Sequence, residues 1–260
     1  MMSTLNLLEK PTILSKGIYF QLPVKIILLD ETIIRSNEPE EVLTFGYKRL
    51  GNRFIIPWRK IKGKLRRLVL EKQRFYEIEP QCSLKDDLCM KCPTCFLFGG
   101  TGDTSSSKVK YNILSRIYGE TFISGSEVTQ ITPYTANAVS EKDYTTGQAL
   151  MSILTIPKET VFYGVITLKD PTKEMVSILV ENIKRLTRLG ARSVEWGRVQ
   201  TEIQGYRLSD KEELSAYYAL KGEPDFGELN DISELDLPNI REAYSKTNEH
   251  VKELIAKLGN

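Results

Sequence analysis

The pattern of apolar and polar positions predicts a first strand–helix–strand unit in the N-terminal third of the chain. Residues 16–34 are rich in β-branched and aromatic side chains, and apolar residues fall on both faces, which is typical of a buried central strand. Pro23 predicts an edge position or a bulge near the start of this strand, because proline has no amide hydrogen to donate. Residues 54–79 then predict a helix opened by Pro57, followed by a short strand at 75–79.

The same order recurs in residues 161–208. Residues 161–170 predict a strand, and Asp170 with Pro171 predicts the N-cap and first residue of a helix that ends at Gly190. Residues 194–208 predict a further strand. Two such units predict an α+β fold with a ferredoxin-like (RRM-like) palm, interrupted by a long insertion at about residues 80–159.

The C-terminal part of the sequence predicts helices. Ser209 is a candidate N-cap for a helix in residues 210–221, and Pro238 opens a longer helix with an apolar stripe that we expect to dock on the protein's own core. Residues 209–260 form an acidic helical tail, with 6 Lys/Arg and 12 Asp/Glu, whereas residues 1–208 carry 30 and 22. A basic body of net charge +8 beside a tail of net charge −6 favours an anionic partner, such as nucleic acid, for the body.

Composition narrows the class of protein further. Hydrophobic residues make up 41% of the chain and charged residues 27%, as in globular proteins, and no apolar run reaches the length of a membrane helix. The N-terminus lacks the pattern of a signal peptide. We therefore expect a cytoplasmic protein without a membrane partner.

Four cysteines fall within 14 residues and predict a metal site. Cys82, Cys89, Cys92 and Cys95 supply four thiolates, two of the spacings are C-x-x-C, and a cytoplasmic chain is not expected to form disulfides. Zinc is the favoured metal, with an iron–sulfur cluster and redox-active thiols as the alternatives. The only histidine, His250, lies far along the chain, so the four thiolates complete the coordination and the zinc would be structural.

Basic residues concentrate in residues 59–74, where eight Lys/Arg stand against one acid. A Gly/Ser/Thr-rich segment followed by Lys108 and Lys110, and a run containing Arg188, Arg192 and Arg198 beside Trp196, add further positive charge. Such residues can neutralise a phosphate backbone, although basic helix faces are often simply solvated. The sequence has no P-loop, no G-x-S-x-G motif and no histidine-based triad. Asp30 and Glu31, at the end of the first strand, could act on a scissile phosphate, although carboxylates at a strand end are more often simply solvated.

Several ordered segments together resemble a known family. Residues 28–38 (LLDETIIRSNE), 89–111 (CMKCPTCFLFGGTGDTSSSKVKY) and 161–193 resemble the backbone subunit of type I-D CRISPR interference complexes, a Csc-type member of the RAMP superfamily and its seventh Cas family. Residues 54–67 resemble the Ile-Pro…Lys-Gly…Arg segment of the wider superfamily.

The resemblance implies a single RAMP-type domain over residues 1–260, with a zinc-binding insertion at 80–110 and a thumb-like insertion at 125–159. It implies copies that polymerise along a guide CRISPR RNA and present it to target DNA or RNA, together with other subunits of the complex. The residues implied to contact RNA by position are Arg35, Lys60, Lys64, Arg67, Lys108, Lys110 and Arg192, to which the basic patterns add Arg59 and Arg198. Two alternatives remain: cleavage of single-stranded target RNA or DNA by Asp30, and a free-standing zinc-ribbon module that binds RNA without forming a filament.

Overall fold

The computed structural model describes residues 5–35, 42–84, 88–102, 109–128, 131–139, 142–143 and 146–257. The strands are β1 Tyr19–Leu28, β2 Thr44–Tyr47, β3 Gly51–Ile56, β4 Ile117–Gly119, β5 Phe122–Ser124, β6 Thr132–Val139, β7 Thr146–Thr155, β8 Val161–Lys169, β9 Val199–Ile203 and β10 Arg207–Ser209. The helices are α1 Trp58–Phe75, α2 Pro93–Phe98, α3 Lys173–Lys184, α4 Ala216–Ala219 and α5 Ile240–Ala256.

Eight of these strands form one sheet with antiparallel pairings. The order across the sheet is β10-β1-β8-β5-β3-β2; in addition, β9 pairs with β1 beyond β10, and β4 pairs with β8. β1 and β8 lie at the centre, and both sequences are almost continuously apolar because each strand is covered on both faces. The chain therefore has a mixed fold of an antiparallel sheet and a few helices, the class that the sequence predicted.

Pro23 lies within β1, which is a central strand and not an edge strand. On one side β1 pairs with β8, and on the other it pairs with β10 over Tyr19–Gln21 and with β9 over Val24–Leu28. Pro23 falls in the gap between these two partners, where its carbonyl oxygen accepts a hydrogen bond from the Gln204 amide at 3.0 Å. Proline, which has no amide hydrogen to donate, therefore fits at the position where the partner of β1 changes from β10 to β9.

Helices α1, α3 and α5 bury the apolar stripes that the periodicity predicted in one hydrophobic core with residues of the sheet. The buried residues of α1 include Ile61, Leu65, Leu68 and Val69. α5 packs against α3, and its fully buried Tyr244 donates a hydrogen bond to the Val69 carbonyl of α1 at 2.8 Å. The prediction that the C-terminal helix docks on the protein's own core is therefore confirmed.

The short strand predicted at residues 75–79 is absent from the structure of that segment. α1 continues to Phe75, and the chain leaves it through Glu77, whose φ is 54°. The Ile78 amide donates to the Gln73 carbonyl at 3.1 Å and the Glu77 amide to the Arg74 carbonyl at 2.9 Å, which is a Schellman termination. The aromatic and apolar residues that resembled a strand instead close the helix, so this prediction was wrong.

Three predicted helix boundaries were also wrong. The N-cap of α3 is Thr172, whose hydroxyl accepts a hydrogen bond from the Met175 amide at 3.3 Å, and not Asp170. α3 ends at Lys184, so Gly190 lies in a loop beyond the helix. Ser209 ends β10, and the short helix α4 is capped by Ser215. At Asp170, residues distant in the sequence bind the carboxylate that local sequence assigned to the helix cap.

Asp170 is not a helix cap but a buried residue whose carboxylate links several segments of the chain. Its carboxylate accepts hydrogen bonds from the Lys16 amide at 3.0 Å and the Ile18 amide at 3.2 Å, and it pairs with Arg116 at 3.4 Å. The exposed fraction of the side chain is 0% for Asp170 and 11% for Arg116. This pair ties the N-terminal segment and β4 to the end of β8.

We expect Asp170→Ala to lower the free energy of unfolding by about 3–5 kcal/mol, since it leaves the Arg116 guanidinium buried without its counter-charge. Urea denaturation measures the change. The control is Asp236→Ala, which breaks an ion pair to Lys173 in which the aspartate is 99% exposed and which should cost less than about 1 kcal/mol. Equal losses for the two variants would contradict the role assigned to Asp170.

Strands β6 and β7 form a separate two-stranded hairpin, paired from Thr132 with Thr155 to Val139 with Thr146. The hairpin falls inside residues 125–159, between β5 and β8 of the main sheet. Across the described ranges, no helix combines the length and the hydropathy that a membrane crossing requires.

Candidate functional site

A basic cleft lies between α1, the segment after β1 and the loop that follows α3. Its volume is about 330 Å³. The lining residues are Ile33, Ile34, Arg35, Lys60, Lys64, Arg67, Arg188, Leu189, Gly190, Ala191 and Ser193. Five of these eleven side chains are Lys or Arg, and none is acidic, so the cleft is suited to an anion.

Backbone hydrogen bonds hold the loop of residues 188–198 against the segment after β1. The Ala191 amide donates to the Ile33 carbonyl at 2.9 Å, and the Gly197 amide donates to the Glu31 carbonyl at 3.1 Å. Within the loop, the Leu189 amide donates to the Gly197 carbonyl at 2.8 Å. Gly190 has a φ of 87°, and a Cβ there would lie 2.6 Å from the Ile33 carbonyl oxygen. Glycine at this position therefore allows the loop to close one wall of the basic cleft.

The structure brings four of the nine predicted RNA-contacting residues together in the cleft. Lys60, Lys64 and Arg67 project from one face of α1 at i, i+4 and i+7, and Arg35 comes from the segment after β1. None of the four forms an ion pair with an acidic residue in the described ranges. Among the residues that the structure describes, the buried Arg35 Nε also has no acceptor. Because buried donors are normally satisfied, this arrangement is suited to an anionic group.

The other predicted contacts lie outside the lining of the cleft. Arg192 is exposed in the same loop, between two lining residues, and Arg198 is exposed at the end of that loop. Arg59, at the start of α1, and Lys110 are exposed elsewhere. Lys108 lies outside the described residues.

Arg188 is a cleft residue that the sequence did not single out as an RNA contact. Its guanidinium donates to the carbonyl oxygens of Ser193 at 2.9 Å and Trp196 at 3.2 Å, which stabilises the loop from within. The basic run at residues 188–198 was the available signal, but only the folded loop shows that Arg188 faces the cleft.

The opposite flank of α1 carries a second pair of cations, Lys62 and Arg66. The Lys62 ammonium donates to the Ser115 hydroxyl at 3.1 Å, and Arg66 Nε and Nη2 are buried without an acceptor among the described residues. Burial lowers the pKa of Lys62, and the charge of Arg66 lowers this pKa further. Between the two flanks the position of Gly63 is open, with nothing within 4 Å of where a Cβ would stand.

Asp30 and Glu31 both accept hydrogen bonds from neighbouring segments. Asp30 Oδ2 accepts from the Arg198 amide at 3.3 Å, and Glu31 Oε2 accepts from the Thr155 hydroxyl at 2.9 Å. These contacts fasten the loop of residues 188–198 and the end of β7 to the C-terminal end of β1. The described contacts therefore give the two carboxylates a structural role.

The four cysteines form a buried cluster at the start of α2. All four sulfurs lie within 4.8 Å of one another; Cys95 Sγ is 3.6 Å from Cys82 Sγ and 4.0 Å from Cys89 Sγ. No disulfide links them. The Cys95 amide donates to Cys92 Sγ and the Lys91 amide to Cys89 Sγ, each at 3.5 Å. These four residues could hold a metal ion, as the spacing predicted.

The thiols perturb one another strongly. Hydrogen bonding to Cys89, and then to Cys92 and Cys95, lowers the pKa of Cys82, whereas hydrogen bonding to Cys82 raises the pKa of Cys92. Four thiols at this separation share their protons, and full ionisation would bring four negative charges together. A bound cation of charge +2 would relieve that repulsion, which fits a metal ligand set.

The cluster is attached to the C-terminal half of α1. Gln73, which is 1% exposed, accepts hydrogen bonds through Oε1 from the Thr94 amide at 3.2 Å and the Thr94 hydroxyl at 2.8 Å. Arg74 donates to the Cys82 carbonyl at 2.9 Å. The cysteine cluster thus fixes the segment after α1 against the helix that carries the basic cleft.

Solved structures with a similar fold come from CRISPR systems. The crystal structure of Thermofilum pendens Csc2 is 21% identical and superposes with a TM-score of 0.61, covering 96% of this chain and 80% of that chain. A chain of a CRISPR RNA-guided surveillance complex is 12% identical, with a TM-score of 0.54 over 92% of this chain and 83% of its own. A chain of a Type IV-B CRISPR complex is 14% identical, with a TM-score of 0.52 over 71% and 90%. The fold is thus shared with proteins of CRISPR systems.

The family follows from the sequence match. The family model described as Csc2 Crispr matches residues 51–256. This range includes α1, the cysteine cluster, β8 and the C-terminal helix α5. The chain therefore belongs to the Csc2 CRISPR family. The search of curated proteins found no significant match.

Proposed function

We propose that this protein is the backbone subunit of a type I-D CRISPR interference complex, which binds guide RNA along its length and assembles in several copies on it. Family membership and the likeness to chains from CRISPR complexes support this role. The guide would be presented for pairing with target DNA or RNA, in contact with other subunits of the complex.

The observation that carries the proposal is the basic cleft. It collects Arg35, Lys60, Lys64, Arg67 and Arg188 without an acidic lining residue. An RNA strand supplies phosphates at regular spacing, and each phosphate neutralised by Lys or Arg releases counterions, which drives binding irrespective of sequence. The Arg35 Nε, which has no acceptor in the described part of the chain, supports an anion within the cleft. The open surface at Gly63 supports close approach of a ligand to α1.

The second flank of α1 extends the proposed RNA path. The Arg66 donors have no acceptor in the described part of the chain, and Lys62 shares that flank. A phosphate would satisfy the Arg66 guanidinium better than water can at a buried position. Arg59, Lys110, Arg192 and Arg198 would supply weaker contacts at the exposed margins.

The metal held by the cysteine cluster would be a structural zinc ion. A tetrahedron with Zn–S bonds of about 2.3 Å separates its sulfurs by about 3.8 Å. The Cys95 Sγ distances of 3.6 Å and 4.0 Å fall on either side of this value. With all four positions filled by thiolates, the ion would have no open position for catalysis and would stabilise the insertion at residues 80–110.

The sheet is proposed as a ferredoxin-like palm. Taken in chain order, β1, α1, β5, β8, α3 and β9 give the pattern β-α-β-β-α-β, and the strands lie in the order β9-β1-β8-β5 with antiparallel neighbours. The cysteine cluster then lies in an insertion between α1 and β5. The β6–β7 hairpin lies in a second insertion between β5 and β8, as a thumb would. The acidic tail at residues 209–260 is proposed to contact another subunit.

Cleavage of a target strand by Asp30 is the second function that the sequence allowed. The described contacts do not favour it, because Asp30 Oδ2 accepts a hydrogen bond from the Arg198 amide. A carboxylate that acts on a phosphate needs its oxygens within reach of the reacting groups. We therefore include no catalytic step in the proposed function.

Light scattering on a sizing column tests the proposed assembly. We expect the protein with single-stranded RNA to elute as species that contain several copies per RNA, with copy number rising with RNA length, and the protein alone to elute as smaller species. One copy per RNA at every length would instead indicate a free-standing RNA-binding module and would contradict the scaffold.

A further inference from the structure

Four aromatic side chains form a continuous row at the β2 edge of the sheet, opposite the β10 edge. The aromatic row comprises Phe45 and Tyr47 on β2 with Tyr217 and Tyr218 on α4. Successive ring centroids are 4.7 Å, 5.9 Å and 5.5 Å apart. The two ends of the row are open to solvent, since Phe45 is 54% exposed and Tyr218 is 64% exposed.

The row is held by buried groups that give it a fixed shape. The Glu120 carboxylate accepts hydrogen bonds from the Ala216 amide at 2.7 Å, the Ser215 hydroxyl at 2.8 Å and the Val165 amide at 2.9 Å. These bonds attach the start of α4 to β8. β2 is attached to the sheet through its pairing with β3. The rings are therefore positioned before any ligand arrives, which lowers the entropic cost of binding.

Positive charge lies beside the row. The Lys221 ammonium lies 4.6 Å from the centroid of the Tyr218 ring. Lys48 and Arg49 are exposed and directly follow Tyr47. None of these three cations forms an ion pair in the part of the chain that the structure describes. Burial, and then the charge of Glu120, raise the pKa of Tyr47. The Glu120 carboxylate is itself largely buried, and its oxygens accept hydrogen bonds from donors at the start of α4 and on β8.

We propose that the aromatic row stacks unpaired bases of single-stranded nucleic acid, with Lys221, Lys48 and Arg49 contacting the flanking phosphates. Rings that are exposed at the two ends of the row, with cations beside the row, match the chemistry of a strand whose bases and phosphates alternate. This contact goes beyond the proposed function because it shares no residue with the basic cleft and adds the stacking of bases to contacts with phosphates.

Fluorescence anisotropy with labelled oligouridine, and separately with labelled oligodeoxythymidine, tests the inference on the full chain. We expect Phe45→Ala/Tyr218→Ala to lower the affinity by about thirtyfold or more, because each of the two rings that are lost would remove the stacking of one base. The dependence of log affinity on log salt should keep the slope of the wild type, since no cation is removed. Phe75→Ala removes a ring that is 71% exposed but lies outside the row, and it should bind as the wild type does.

Cross-linking keeps the inference falsifiable if a variant folds poorly. Wild-type protein bound to oligouridine that contains 4-thiouridine should cross-link to peptides that carry Phe45, Tyr47, Tyr217 or Tyr218. The inference is overturned if these peptides carry no cross-link, or if the double variant binds within twofold of the wild type. Charge reversal in the basic cleft changes the salt slope instead, so failure of this inference and failure of the proposed function give different results.

Discussion

Replacing Cys95 with serine should abolish stoichiometric zinc binding and destabilise the protein by several kcal/mol, the largest stability effect that we expect from one substitution in this chain. Cys95 is fully buried and its sulfur lies near those of Cys82 and Cys89. A serine hydroxyl at this position would be a poor ligand for zinc and would leave three thiols in an apolar pocket beside Leu70.

Metal analysis and thermal unfolding measure the two effects together. The wild type should contain about one zinc ion per chain, as one four-cysteine site requires. Cys95→Ser should contain almost none and should unfold at a lower temperature, with early proteolysis of the segment after α1. Ser83→Ala, next to a ligand but not one itself, should retain the metal and the wild-type midpoint. Iron in the wild type, or no metal at all, would refute the zinc assignment.

The elements that the sequence predicted well are those whose local pattern agrees with their tertiary surroundings. α1 carries an apolar stripe at helical spacing, and that stripe is the face it buries. β1 and β8 read as buried strands because both of their faces are covered. Asp170 was predicted wrongly because its contacts come from residues that are distant in the sequence. It is a good N-cap by sequence, but two distant amides and Arg116 bind its carboxylate.

The cysteine cluster could be predicted from the sequence because its ligands are neighbours in the chain. Spacing alone brought Cys82, Cys89, Cys92 and Cys95 together, and the structure places their sulfurs within 4.8 Å of one another. The basic cleft was only partly predictable. The helical face of Lys60, Lys64 and Arg67 is a local pattern, but its wall of residues 188–193 lies over a hundred residues away.

Buried donors without acceptors were the signal that sequence could not supply. Lys62 and Arg66 belong to the same basic helix as the predicted contacts, yet their flank faces Ser115 and not the cleft. Only the fold shows that Arg35 and Arg66 lack acceptors among the described residues. The sequence shows how much positive charge a segment carries. Only the packing shows which of its cations lack a hydrogen-bond acceptor among the described residues.

Reversing two charges in the cleft should produce the largest loss of RNA binding. Lys64→Glu/Arg67→Glu removes two adjacent cations of the basic cleft. Each phosphate contact with a single strand contributes a log–log salt slope of about −0.7, so losing two contacts should reduce the slope by about 1.4 and the affinity roughly 25-fold at about 0.1 M salt. Repulsion by the two new carboxylates should increase the loss.

The matched control is Lys252→Glu/Lys257→Glu. Both lysines are exposed at the end of α5, and their reversal changes the net charge by the same amount. If the cleft is the RNA site, this variant should keep nearly all of the wild-type affinity and slope. An equal loss in both variants would indicate attraction to the overall charge instead of binding in the cleft.

The central claim, that guide RNA lies in the basic cleft, is tested most directly by filter binding of single-stranded RNA over a series of salt concentrations, with the wild type and Lys64→Glu/Arg67→Glu measured side by side. The account predicts a steep slope for the wild type and a slope that is smaller in magnitude by about 1.4 for the variant. Identical slopes and affinities for the two proteins would contradict it.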